Sequence, residues 1–86
     1  MSARVLVIGK PDCHLCDDAR VIVAQVCAEL GEAWAEQSIF DDVGIYDEYW
    51  DKIPVVVVDG RMHDYWRVDP MRLRSVLTDN RMQTSD

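Results

Sequence analysis

No stretch of this sequence is apolar for long enough to cross a bilayer: runs such as residues 5–8 and 54–58 fall far short of the roughly 20 residues a spanning helix needs. Positive charge is also scarce. Nine Lys and Arg face sixteen Asp and Glu, for a formal net charge of −7. That balance argues against nucleic acid, whose binders need a basic face to displace counterions, and against docking on anionic membrane. Ahead of the first apolar run stands a single Arg, and the run is too short for a secretory signal, so the chain is expected to be cytoplasmic. Cysteine is sparse and odd in number: Cys13, Cys16 and Cys27 make a poor disulfide framework.

What remains is a chain of 86 residues, 49% of them hydrophobic. That is enough apolar surface for one small packed domain and too much for general disorder. Residues 1–80 are expected to form that domain, and residues 81–86 a flexible tail.

Residues 4–9 read as a strand buried on both faces, because Val5-Leu6-Val7-Ile8 is continuously apolar. A loop through Pro11 follows. Asp12 or Cys13 can then cap a helix whose apolar stripe runs through Leu15, Ala19, Ile22, Val26 and Leu30, widened by Val23 and Cys27. Gly31 suits the left-handed position that ends it. Residues 33–40 form a weaker strand. Asp41-Asp42 ends that strand and can cap a short helix through Ile45, Tyr46 and Tyr49. Residues 55–58, all Val, are a second buried strand. Asp59-Gly60 is a two-residue hairpin turn, and residues 61–66 return. Asp69-Pro70 places a cap and then proline at the first helical position, with Met71, Leu73, Val76 and Leu77 facing the core. The order is β-α-β-(α)-β-β-α. This predicts an α/β fold, a four-stranded mixed sheet with flanking helices, whose first βαβ unit is parallel.

Chemistry concentrates at Cys13-His14-Leu15-Cys16, at the junction of strand and helix. Free backbone N–H groups and the positive end of the helix dipole favour thiolate there, and thiolate is the attacking form. Cys13 thus reads as the exposed nucleophile. Cys16, one turn inward, reads as the thiol that resolves a mixed disulfide. Lys10 and a protonated His14 would add to the effect, while Asp12, Asp17 and Asp18 would oppose it. Cys27 lies about three turns, or ~16 Å, further along the same helix and cannot share a metal with the pair, so a zinc site within one chain is not expected. It reads as a core residue. His14 reads equally as a tuner of the thiolate or as a solvated side chain. His63 reads as a surface residue. Trp34, Trp50, Trp66, Tyr46, Tyr49 and Tyr65 read as core or rim, with one or two offering an apolar wall to a partner. The acidic residues between 41 and 51 read as a solvated face.

These pieces resemble the glutaredoxin branch of the thioredoxin fold, in particular the short bacterial glutaredoxin-like proteins. The matching parts are Lys10-Pro11-Asp12-Cys13-His14-Leu15-Cys16 after the first strand, Ile53-Pro54 before the third, and Asp59-Gly60 between the last two. The resemblance implies a thiol–disulfide oxidoreductase that reduces protein or glutathione mixed disulfides, with Cys13 and Cys16 catalytic. It implies a cis bond before Pro54 and a backbone at Ile53 that pairs with peptide or glutathione. Glutathione or another small thiol would be a co-substrate, a reductase a partner, and the chain a monomer. Lys10 would stabilise the leaving thiolate, Arg67 could clamp a carboxylate, and Asp69 could meet the glutathione amine. Two departures stand out. His14-Leu15 replaces the Pro-Tyr usual between the cysteines, and Trp66-Arg67-Val68 stands where the family carries Gly-Gly. A redox-silent binding module, or a carrier of metal or an iron–sulfur cluster at a dimer interface, are the alternatives.

Overall fold

The computed structural model describes residues 3–84, with side chains through Thr78. Strand β1, Val5–Gly9, leads into helix α1, His14–Leu30. Strand β2, Trp34–Ser38, is followed by a short 3-10 turn, Ile39–Asp41, and helix α2, Val43–Tyr49. Strands β3, Val55–Val58, and β4, Arg61–Tyr65, form the hairpin, and helix α3 spans Pro70–Thr84. The sheet order is β2-β1-β3-β4. β1 pairs parallel with β2 and antiparallel with β3, and β3 pairs antiparallel with β4. The expected element order, parallel first pair and antiparallel hairpin are all present.

Alternation along the strands divides the core in two. Val5, Val7, Val56 and Val58 face α1 and α3, meeting Ala19, Val23, Val26, Cys27, Leu73 and Leu77. Ile8, Val55 and Val57 face the other way, toward Ile39, Ile45, Tyr49 and Ile53. The central strands therefore need apolar residues on both sides, which is why all four residues of β3 are Val and all are buried. Each such side chain contributes about 1.5–3 kcal/mol relative to exposure.

Local signals mark the ends of the elements. Gly31 takes φ 67 at the C-cap of α1. Asp59 and Gly60, at φ 53 and 82, make the primed turn whose twist suits a hairpin. The Arg4 guanidinium holds both Asp59 carboxylate oxygens, at 3.0 and 3.1 Å, and also reaches Glu32, tying the hairpin to the end of α1. Asp42 caps α2 and Asp69 caps α3.

Several expectations need correction. Phe40, expected in the second strand, lies in the 3-10 turn that Ser38 caps, and is exposed. Leu15 and Met71 are also exposed; each lies in the first turn of its helix, and Cys16 is buried where Leu15 was expected. His63 is half-buried: the β3–β4 register slips between Val56 and Val57, and its Nε2 is enclosed with no hydrogen-bond partner among the described residues. The expected tail, residues 81–86, is not tested: α3 spans Pro70–Thr84, and residues 85 and 86 lie outside the described residues.

Candidate functional site

Asp12 bends the chain at φ 58, and Cys13 follows in extended geometry as the N-cap of α1. A helix leaves its first N–H groups without partners. Here one is met by sulfur: the Cys16 N–H donates to Cys13 Sγ at 3.2 Å. Cys13 is half-buried and Cys16 fully buried, and both are free thiols. Burial pushes the Cys16 thiol up to about 11, helped by its hydrogen bond to Cys13; the Lys10 backbone N–H and the charge of Arg20 pull the other way. Cys16 therefore holds its proton at neutral pH, beside a sulfur placed among helix N-terminal donors. Arg20 itself is held by Asp17 and Glu36.

Gly9 makes this packing possible. A Cβ there would lie 2.9 Å from Cys16 Sγ and 3.2 Å from Cys16 Cβ, so the last residue of β1 must lack a side chain for α1 to approach. Gly9 ends the strand expected from the sequence, as it ends β1, but no role was assigned to it there. Its signal was available: a Gly ending a buried strand, four residues ahead of Cys13 in the Cys-x-x-Cys helix.

The register that pairs Ile8 with Val55 brings the end of β1 beside the start of β3. The Ile53–Pro54 bond there is cis, as the resemblance implied. Pro54 is buried and Ile53 half-buried. The Pro54 carbonyl accepts from the Trp66 N–H at 2.9 Å, and the Trp66 indole N–H donates to the Asp51 carbonyl at 3.1 Å. These bonds hold Trp66 at φ 64, a left-handed conformation that side chains other than glycine seldom adopt. Nothing in the sequence marked that bend.

Lys10, Arg67 and Asp69 are exposed. Lys10 lines a pocket of about 170 Å³ with Gly9, Pro11, Cys16, Arg20 and Ser38. Arg67 lines a second, of about 240 Å³, with Leu15, Asp18, Ile22 and Trp66 on the opposite flank of α1. Asp69 is engaged in the α3 cap through Oδ1, and its own N–H donates to Asp64 Oδ2 at 3.2 Å. Among the described residues, no three His, Cys, Asp or Glu side chains converge as a metal site. No described helix is long and apolar enough to cross a membrane.

A dithiol at a helix N-terminus, with a cis-proline at the adjoining strand end of a β2-β1-β3-β4 sheet, defines the thioredoxin-like class. Residues 4–78 match the family model described as Glutaredoxin-like domain (DUF836), and the chain belongs to that family. It is 34% identical over 79 residues to uncharacterised proteins of Mycobacterium tuberculosis and Mycobacterium bovis, covering 84% of this chain and 79% of theirs. A structural-genomics target protein from X. campestris, solved by X-ray, superposes with a TM-score of 0.72 at 33% identity, over 87% of this chain and 96% of that one. A glutaredoxin from Archaeoglobus fulgidus shares the fold at a TM-score of 0.60 and 15% identity, over 87% and 86% of the two chains.

Proposed function

We propose that this protein is a thiol–disulfide oxidoreductase working through Cys13 and Cys16. The observation that carries the reading is the contrast between the two cysteines: half-buried Cys13 caps the helix with its Sγ, while Cys16 is buried and its thiol is pushed up to about 11. Cys13 thiolate attacks one sulfur of a substrate disulfide. A Cys13–substrate bond forms, the substrate S–S bond breaks, and the departing thiolate takes a proton. Cys16 then gives up its proton and attacks Cys13 Sγ, forming the Cys13–Cys16 disulfide and releasing the second substrate thiol. Two electrons have passed to the substrate, and a small thiol such as glutathione, or a dithiol reductase, returns them. Lys10 and Arg67 supply positive charge on the two flanks of α1, Ile53 offers its backbone beside Pro54, and Asp69 offers a carboxylate at the start of α3.

The test is an assay of disulfide reduction, coupled to a reductase and run with and without glutathione. Cys13→Ser is expected to abolish turnover, and Cys16→Ser to accumulate a mixed disulfide with the substrate. Full activity in Cys13→Ser removes the mechanism. The two reductant conditions separate glutathione-dependent from reductase-dependent recycling.

A further inference from the structure

α2 is a helix with two apolar sides, and only one of them meets the core. Ile45 and Tyr49, spaced i and i+4, pack inward against Ile8, Val55 and Val57. Val43, Tyr46 and Trp50, spaced i, i+3 and i+7, form a second stripe left exposed by the described residues, with Val43 78% and Trp50 56% exposed. Phe40 extends it from the 3-10 turn, its ring 6.1 Å from that of Tyr46 and 66% exposed. Four large apolar side chains in one exposed row mark an interaction surface rather than scattered surface residues.

Charge identifies what covers the row. Residues 41–52 contain Asp41, Asp42, Asp47, Glu48 and Asp51 against one cation, Lys52, and that cation is paired with Asp51 at 3.3 Å. A second copy of this chain, also at −7, would bring like charge against like. The row also ends at the reactive edge. Trp50 stands just before the segment that leads to Ile53–Pro54, and the Asp51 carbonyl is bound by the Trp66 indole.

We propose that the Phe40–Val43–Tyr46–Trp50 stripe docks a basic, apolar-faced polypeptide that carries the disulfide to Cys13. The inference rests on the thiol–disulfide reading above. Steering by the acidic rim raises encounter rate, and the stripe supplies contact area beside the cis-proline edge.

Single-turnover reduction by the prereduced full chain tests it with three probes. They are bis(2-hydroxyethyl) disulfide, a synthetic amphipathic Leu/Lys peptide disulfide, and the same peptide with Glu in place of Lys. The Lys peptide is expected to react roughly tenfold or more faster than the Glu peptide at low salt, with the gap closing as salt rises. Val43→Ser and Asp47→Lys are each expected to slow the Lys peptide several-fold and leave bis(2-hydroxyethyl) disulfide unchanged. Equal rates for the two peptides, or variants that reduce the Lys peptide as fast as the parent does, overturn the docking surface while thiol exchange stands. A dimer in sedimentation that Val43→Ser dissolves also overturns it, since the stripe would then hold a second copy. Inertness toward all three probes removes the thiol–disulfide reading, and the docking inference with it.

Discussion

The missing side chain of Gly9 and the sulfur of Cys16 occupy complementary space: a Cβ at position 9 would stand 2.9 Å from Cys16 Sγ. Gly9→Ala must therefore displace either the end of β1 or the first turn of α1. Overpacking of this kind costs about 1–3 kcal/mol. The variant is expected to unfold at lower urea concentration, and to resolve mixed disulfides more slowly than it forms them, read by single-turnover thiol release.

Burial pushes the Cys16 thiol up to about 11 and raises Cys27 as well. The folded state thus holds these protons more tightly than the unfolded chain, whose thiols titrate near about 8.5. The contribution of Cys16 to stability is complete below about pH 8.5 and is lost as pH rises toward 11, and that of Cys27 is lost in the same direction. Urea midpoints are expected to fall across that window. Resolution by Cys16 depends on its thiolate fraction, so its rate is expected to rise about tenfold per pH unit between pH 7 and 9. Quenched-flow trapping of the mixed disulfide at several pH values checks this.

His63 titrates in the opposite sense. Desolvation lowers it most and Arg72 lowers it further, while Asp64 and Asp69 pull it up. The unfolded chain binds the proton more readily, so stability is present above about pH 6.5 and is lost as pH falls below it. His63→Leu removes the enclosed Nε2 that has no partner among the described residues. That variant is expected to be as stable as the parent or more so, by about 1 kcal/mol, and to lose part of the acid dependence. Thermal melts between pH 5 and 7.5 provide the measurement.

Asp69 can be dissected by two substitutions. Asp69→Ala removes the cap of α3 and is expected to cost about 1 kcal/mol. Asp69→Asn keeps a capping oxygen and removes the charge. If Asp69 meets the glutathione amine, the Asn variant keeps its stability and loses rate with glutathione only. Equal rates with glutathione and with a dithiol reductant would restrict Asp69 to capping.

The parts of this fold that could be read in the sequence are those with local causes. Val5-Leu6-Val7-Ile8 and the four valines of β3 mark strands covered on both faces, and they are the two central strands. Asp59-Gly60, Gly31 and Asp69-Pro70 mark ends because each supplies a backbone angle or a capping oxygen. Helical spacing misplaced Leu15 and Met71 because period identifies a face but not how far along the helix the core extends. His63 was misread because a register slip in β4 turns a nominal surface position partly inward. The bend at Trp66 depends on bonds to Pro54 and Asp51, which are distant in sequence. At the site, the cysteine pair was legible from its place at a strand-to-helix junction. The cis bond before Pro54 was legible only through family resemblance, and Gly9 only as a glycine ending a buried strand, its contact with Cys16 coming from the packing.

The central claim is that Cys13 and Cys16 interconvert between dithiol and disulfide as a working couple. Equilibration of the full chain in thiol–disulfide buffers, quenched with an alkylating agent and read by mass, tests it most directly. The account predicts a reversible two-electron transition with a potential between roughly −120 and −270 mV, lost in both Cys13→Ser and Cys16→Ser. A pair that stays reduced across the whole range, or a transition that survives Cys13→Ser, contradicts it.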